Sequence, residues 1–313
     1  MTMFVVVGEA LVDLVGQRGE RTLQAYPGGS PANVALGLAR LGAAVTLITR
    51  LGRDAFGQMV TSHLEASGVV VDPGPDTRGG TSIAIATLAA GVASYDFRID
   101  WDVDWLAPLP IEARCLHTGS LATVLPPGDK AVVDLIRRER ERARVTVSYD
   151  PNVRPALSGD PVRARPGVEE IVAQSDVVKV SNEDLRWLYP HDGDQVIARR
   201  WLTSGPGLVV VTRGGEGVFA TTPTLEVWRD AVPVDLVDTV GAGDAFTSGL
   251  LDGLRRADLI GGERREALRN TDESTLISIV DMAAVVAAIT CSRPGADPPM
   301  RGEVDAVLGN LRS

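Results

Sequence analysis

Cysteine is scarce in this chain: Cys115 and Cys291 are the only two among 313 residues. No CxxC pair exists, so neither a disulfide framework nor a zinc ribbon is supported. The three histidines, His63, His117 and His191, are scattered without metal-ligand spacing and read as core or surface residues. Positive charge is also short, with 31 Lys+Arg against 41 Asp+Glu for a net −10. A field of that sign repels polyanions, which excludes a nucleic-acid binder or a polybasic membrane-surface protein. Long hydrophobic runs are missing on inspection: no stretch reads as the roughly 18 apolar residues of a membrane span. The N-terminus carries no basic segment, and Glu9 and Asp13 interrupt the apolar run that follows it. The expectation is a soluble, cytoplasmic protein with no membrane partner. Two phosphate-binding motifs are absent as well. There is no GxxxxGK[ST], and the first apolar run leads into Gly8-Glu9-Ala10 rather than G-x-G-x-x-G. A P-loop enzyme and an NAD-dependent oxidoreductase thereby lose their main support.

What is present is ordinary globular material, 44% hydrophobic and 23% charged, long enough for a sizeable core. Glycine is in surplus, at 33 residues, against a usual share of about 7%. Short β-branched runs at Phe4 to Val7, Val45 to Thr49, Val145 to Tyr149, Val177 to Val180 and Leu208 to Thr212 are continuous rather than alternating. That pattern fits strands buried on both faces. Helical patterns lie between them, the first opened by Ser30-Pro31 with Ser30 as N-cap and closed by Gly42. Others fall at Ala131 to Ala143, Asp184 to Leu188 and Phe246 to Leu254. The alternation predicts an α/β fold with a mostly parallel central sheet flanked by helices. Asp13 to Tyr26 and Thr81 to Ile99 break the rhythm as short strands without helices, candidates for a small β-sheet lid. The charged run Arg137 to Arg142 reads as a solvated helix face.

The sharpest motif is Asp238-Thr239-Val240-Gly241-Ala242-Gly243-Asp244, followed by Phe246, Leu250 and Leu254 on one helical face. A glycine-rich turn entering a helix presents free N–H groups and a partial positive charge, which makes an anion cradle beside a carboxylate. The same residues would also serve as a tight turn with an acidic first-turn residue. A helix N-terminus favours ionised Asp244 by about 0.3–1 kcal/mol, so the expectation is an ionised, weakly basic carboxylate at pH 7. The second motif is Gly28-Gly29-Ser30-Pro31-Ala32-Asn33, in which Asn33 offers donor and acceptor to a polyhydroxyl ligand or acts only as a turn residue. Asp150-x-Asn152-x-Arg154 follows a predicted strand, where ligands of such sheets bind.

Together the two motifs resemble the signatures of the PfkB (ribokinase-like) carbohydrate kinase family, most closely its bacterial fructokinases. Gly8 to Asp13 is similar to their GEALID opening, Asp150 to Pro155 to DPNxRP, and Lys179 to Leu185 to KVSxEE. Thr212 to Gly217 resembles the T-x-G-x-x-G nucleotide loop. The resemblance implies a single kinase domain over 1–313, a ribokinase-like sandwich with lid segments near 13–26 and 81–99. It implies transfer of the ATP γ-phosphate to a sugar hydroxyl, with Asp244 as general base and Gly241, Ala242 and Gly243 in the anion hole. Asp13, Gly28, Gly29, Asn33 and Arg98 would hold the sugar, and Lys179, Thr212, Gly214 and Gly217 would border the nucleotide. Asp184 would be linked to Mg²⁺ and Asp238 with Val240 to a monovalent cation such as K⁺. Two departures stand out: the family's N-x-x-E appears here as Ser181-x-x-Asp184, and Arg213 replaces an apolar residue. Trp101 and Trp105 would wall the sugar pocket or pack the core. Ala283 to Thr290 would form a small-residue helix beside the nucleotide, and Arg293 to Ala296 would close the site. Within the class, 2-keto-3-deoxygluconate kinase, ribokinase and nucleoside kinase remain open, Arg98 being able to meet a carboxylate. A silent sugar- or nucleotide-binding module is the reading outside it. A homodimer through the lid is a further expectation.

Overall fold

The computed structural model describes residues 2–17, 19, 21–74, 79–89, 92–104 and 106–312. Trp105, read above as a pocket or core residue, lies outside them. The strands run β1 Met3–Val7, β2 Leu11–Gln17, β3 Gln24–Gly28, β4 Ala44–Ile48, β5 Val70–Asp72, β6 Ser82–Ala89 and β7 Val92–Arg98. Then come β8 Ala113–Gly119, β9 Thr146–Asp150, β10 Val177–Ser181, β11 Leu208–Thr212, β12 Val218–Thr221 and β13 Glu226–Arg229. The helices are α1 Ser30–Arg40, α2 Ala55–Glu65, α3 Gly128–Arg142, α4 Pro155–Ser158, α5 Pro161–Ala173 and α6 Asn182–Leu188. They continue with α7 Asp194–Leu202, α8 Ala242–Arg256, α9 Arg265–Arg269, α10 Glu273–Cys291 and α11 Arg301–Arg312.

Nine strands form the main sheet in the order β13-β12-β11-β10-β9-β8-β1-β4-β5, parallel except for β12 and β13 at one edge. The continuous apolar strands are continuous because both faces are covered. Phe4 and Val6 point into the layer of α1, α8 and α10, while Val5 and Val7 point into that of α3, α5 and α7. The same alternation splits Val210 from Val209 and Val211 on β11. Each such side chain, removed from water, contributes about 1.5–3 kcal/mol.

The two segments without helices pair with each other as expected, in a separate sheet ordered β3-β2-β6-β7. Gly8-Glu9-Ala10 carries the chain from β1 directly into β2, so this small sheet stands at the carboxyl end of the main one.

Four strands, β5, β8, β12 and β13, escaped the sequence patterns, and two of them show why. β8 carries Arg114, His117 and Thr118, polar residues in a buried strand. His117 is matched by Ser148 (Nδ1 to Oγ, 3.0 Å), and the Thr118 hydroxyl donates to the Val7 carbonyl at 2.8 Å. β12 is only four residues long and is defined by its antiparallel partners.

The expectation that no segment is long and apolar enough to span a membrane needs correction. α10, with 19 residues, meets that criterion by length and composition, because small and β-branched residues follow its acidic start. Half of its most apolar stretch is buried within the fold. It packs along α8, where Gly249 and Gly253 let Ala283, Val286 and Ile279 approach closely.

Candidate active site

The carboxyl ends of β1, β8, β9, β10 and β11 and the N-termini of α1 and α8 converge below the small sheet. α8 begins at Ala242 with Gly241 as N-cap, in a left-handed conformation (φ 74°) that a side chain would strain. A Cβ there would also sit 2.5 Å from the Ala296 Cβ. Asp244 therefore occupies the first turn of α8, beside the unsatisfied N–H groups of the turn. Gly241 and Gly243 thus open α8 just before Asp244, and of the turn's amides that of Ala242 donates to the Thr239 carbonyl at 3.2 Å.

Ser30 departs from its expected part. The N-cap of α1 is Gly29 (φ 103°), whose missing side chain leaves room for the Glu9 carbonyl, and no side chain caps the helix. Ser30 is the first helical residue, and its hydroxyl donates instead to Asp244 Oδ1 at 2.6 Å. Asn33 Nδ2 donates to Oδ2 at 2.8 Å. Thus Asn33, an unfavourable helix residue by propensity, reaches the carboxylate 211 residues away.

Burial pushes the Asp244 carboxyl above its ordinary value, against the pull of the Ser30 and Asn33 donors. The sequence-based expectation weighs only the helix terminus, which acts in the opposite direction. The helix terminus contributes a fraction of a pKa unit, and desolvation of a 7% exposed carboxylate outweighs it.

Beneath the turn lies a buried ion pair. Lys179 Nζ on β10 is 2.9 Å from Asp150 Oδ2 on β9, and both side chains are at most 5% exposed. A Cβ on Gly243 would stand 3.0 Å from that Nζ, so the ammonium sits against the glycine turn itself. Burial works against the Lys179 charge, but Asp150 more than compensates and holds its pKa above the usual lysine value. Asp150 Oδ1 has no partner although buried.

Asp13 on β2 faces the same space. Gly28, which pairs with Leu11 and so lies diagonally across the β2–β3 pair from Asp13, has no room for a Cβ beside the carboxylate, which would approach to 2.1 Å. Burial pushes Asp13 up to about 6, with Arg154 pulling it down and Asp244 pushing it up. Glu9, not singled out from sequence as a site residue, is buried under the same corner and accepts from the Ala122 amide at 3.1 Å. Burial raises it to about 7. Its only sequence sign was an acid inside an otherwise apolar strand exit.

Asn152 joins these groups to Arg154. It holds φ at 38°, accepts from Arg154 Nη1 at 2.5 Å and donates to Ser30 Oγ at 2.7 Å.

Other expected residues fall elsewhere. Arg98 pairs in register with Ile83, and Ile83 with Val12, whereas Asp13 pairs with Ala84. Residues paired in register share a face, so exposed Arg98 lies on the face opposite Asp13 and is not brought to it. Asp184 spends its carboxylate on backbone amides, Oδ1 from Val153 at 2.9 Å and Oδ2 from Ser181 at 3.3 Å, in a capping box with Ser181. Burial, helped by Asp150, raises its pKa.

Asp238 accepts from the amides of Val240 (3.0 Å) and Gly295 (2.8 Å), which ties the glycine turn to the Arg293 to Ala296 segment. Thr212 ends β11 beside Ser181. Gly214 (φ 52°) and Gly217 (φ 91°) shape the turn into β12. Arg213 is held by Asp194 and Glu216 and lies over the Trp228 ring. Trp101 is buried, with its indole N–H donating to the Ala122 carbonyl at 3.1 Å, a core position. Among the described residues no group of three or more His, Cys, Asp or Glu could hold a metal ion.

An α/β sandwich with a glycine turn opening a helix, an acid in that helix's first turn and a small sheet over it is the arrangement a phosphotransferase site needs. The model of the pfkB family carbohydrate kinases matches residues 1–301, and the chain belongs to that family. It is 33% identical over 284 residues to a fructokinase from Rhizobium leguminosarum bv. trifolii, covering 88% of this chain and 85% of that protein. Among solved structures, a fructokinase from Xylella fastidiosa with bound ATP superposes with a TM-score of 0.87 at 26% identity, covering 99% of both chains. A fructokinase from Vibrio cholerae bound to fructose, ADP and potassium gives 0.80 at 26% identity, covering 98% of both.

Proposed function

We propose that this chain is an ATP-dependent sugar kinase, a fructokinase, in which Asp244 takes the proton of the sugar's primary hydroxyl as that oxygen attacks the γ-phosphate. The observation that carries this is the Asp244 carboxylate at the N-terminus of α8, with anion donors on one side and the Ser30–Asn33 wall on the other. Phosphoryl transfer passes through a loose transition state, so charge stabilisation matters as much as proton removal. The amides of Gly241, Gly243 and Asp244 would supply it, that of Ala242 already donating to the Thr239 carbonyl at 3.2 Å, with the Lys179 ammonium against Gly243. A raised pKa suits a base that must hold a proton once the oxygen–phosphorus bond has formed.

Asp13, Gly28, Gly29 and Asn33 would hold the sugar. The pocket favours a neutral polyol over a sugar acid, because the carboxyls of Asp13, Glu9, Asp150 and Asp244 outnumber the cations Arg154 and Lys179 there and Arg98 faces away. The fructose bound in the Vibrio cholerae relative supports the same choice. Thr212, Gly214 and Gly217 would border the nucleotide.

Mg²⁺ is the metal we assign. Asp184 fits it poorly, its oxygens being taken by amides, whereas the orphaned Asp150 Oδ1 is a free buried acceptor on the phosphate side. Mg²⁺ keeps waters and substrate phosphates and needs only one or two carboxylates; when bound it neutralises charge on the phosphates. K⁺ would sit near Asp238 and Val240, although both Asp238 oxygens, like those of Asp184, already accept from amides; the Vibrio cholerae relative has a potassium ion bound.

We assign a single kinase domain in which the small sheet acts as the lid, a cytoplasmic location where ATP is plentiful, and a homodimer through the lid, whose Leu23 and Tyr26 are exposed. A coupled ADP-release assay across fructose, ribose, 2-keto-3-deoxygluconate and adenosine tests the assignment. Fructose should give the highest kcat/KM, and no turnover with any acceptor would overturn it.

A further inference from the structure

The Ser30 hydroxyl makes two contacts that fix its direction. Arg154 Nη1 can only donate, so the Asn152 atom it meets at 2.5 Å is the amide oxygen. The other end of Asn152, 2.7 Å from Ser30 Oγ, is then the NH₂, which can only donate. Ser30 Oγ must therefore accept from Asn152, and its single proton has one remaining partner, Asp244 Oδ1 at 2.6 Å. The chain Arg154 → Asn152 → Ser30 → Asp244 runs one way, from a cation to the carboxylate, and such chains polarise their members.

Each link is held rigidly. Asn152 adopts a left-handed backbone (φ 38°), a conformation that Asn accepts more readily than other non-glycine residues. Ser30 begins α1 after the Gly29 cap and packs at 9% exposure. Oδ2, by contrast, meets Asn33, one of the residues assigned to the sugar.

We propose that Ser30, set by Asn152 and Arg154, is a positioning residue that pins Asp244 through Oδ1 and reserves Oδ2 as the atom that receives the sugar proton. This rests on Asp244 being the base. Ser30 is separated from the reacting hydroxyl by the carboxylate and acts only through it. Other groups facing Asp244 are Lys179 and Asp150 from the main sheet and Asp13 from the small sheet, with Arg154 at the far end of the chain. None of these is altered by a change at Ser30.

The test compares Ser30→Ala, Ser30→Thr and Asn152→Ala with the parent by the pH profile of kcat/KM for the preferred sugar, with KM and kcat resolved separately. The Ser30 donor stabilises ionised Asp244, so its loss raises the carboxyl pKa and moves the acid limb to higher pH. A hydrogen bond to a charged group corresponds to a displacement of about one pH unit. In Ser30→Ala the limb should move by that amount and the rate on its acid side should fall roughly tenfold, while KM for the sugar changes less than twofold. Ser30→Thr should restore the parental limb. Asn152→Ala should give a smaller displacement, because the Ser30 proton then has other directions open. An unmoved acid limb in Ser30→Ala, or a displaced one in Ser30→Thr, overturns the proposal. Asp244→Ala, assayed in parallel, keeps the outcomes distinct. Full turnover there removes the base itself, whereas an inactive Asp244→Ala beside an unmoved Ser30→Ala limb removes only the relay.

Discussion

Lys179 and Asp150 face each other across adjacent parallel strands, Nζ to Oδ2 at 2.9 Å, with the ammonium against Gly243. Asp150 ends β9, whereas Lys179 stands in the middle of β10 and its ammonium reaches up to the glycine turn, so the charge that folding has to bury is placed where phosphate would gather. Removing one partner strands the other in a site of low dielectric. Lys179→Met should therefore cost about 3–5 kcal/mol of stability, and the added Asp150→Leu should return much of it without restoring turnover. Urea unfolding of both variants, beside their kcat, checks this. A single variant as stable as the parent would show the pair to be energetically idle.

Gly241 and Gly214 both hold positive φ, but only one is crowded. At Gly241 a Cβ would meet Ala296 at 2.5 Å, whereas at Gly214 it would meet nothing within 4 Å. Gly241→Ala should displace the anion-binding turn and lower kcat by about 10²–10³, the usual loss for one misplaced oxyanion donor. Gly214→Ala should cost no more than backbone strain, about 1–3 kcal/mol, and leave kcat within a few-fold. Steady-state kinetics at saturating ATP separates them.

Much of the site was legible because its residues break local rules. Asn33 early in a helix and the two glycines before that helix cost local stability unless a distant partner compensates, and the acid after Gly-x-Gly stands where a helix start favours its charge. Asp244 is that partner for Asn33. Ser30 could not be read, because a serine before proline is a good N-cap on local grounds alone. Its real bond spans 214 residues. Arg98 misled for a related reason: strand register, not sequence distance from Asp13, decides which face a side chain takes. The buried strand β8 was hidden by His117 and Thr118, whose partners Ser148 and Val7 come from other strands.

Asp13 titrates at about 6. As an acceptor for sugar hydroxyls it must be ionised, so KM for the sugar should fall as pH rises through about 6 and level off above about 7. Asp13→Asn should flatten that dependence and raise KM throughout. A pH-independent KM in the parent would remove Asp13 from the sugar site.

Glu9 gives a prediction on stability. Its folded pKa of about 7 lies above the ordinary 4.5, so between those values the native state binds more protons than the unfolded one. Stability contributed by protonated Glu9 is complete below about 4.5 and is lost as pH rises through about 7. Glu9→Gln keeps an acceptor for the Ala122 amide without a charge to bury. It should raise Tm at pH 8, by a change whose upper bound is roughly 3 kcal/mol, and do little at pH 4.5. Equal Tm values at pH 8 would contradict the burial of a charged Glu9.

The most direct measurement is the rate of ADP release by Asp244→Ala against the parent, at saturating fructose and ATP with Mg²⁺ and K⁺, on protein whose Tm matches the parent's. With the base gone and the anion-binding turn intact, kcat should fall by at least about 10²-fold, within the range general bases supply. Parental turnover in a folded Asp244→Ala would contradict a phosphoryl transfer centred on this carboxylate.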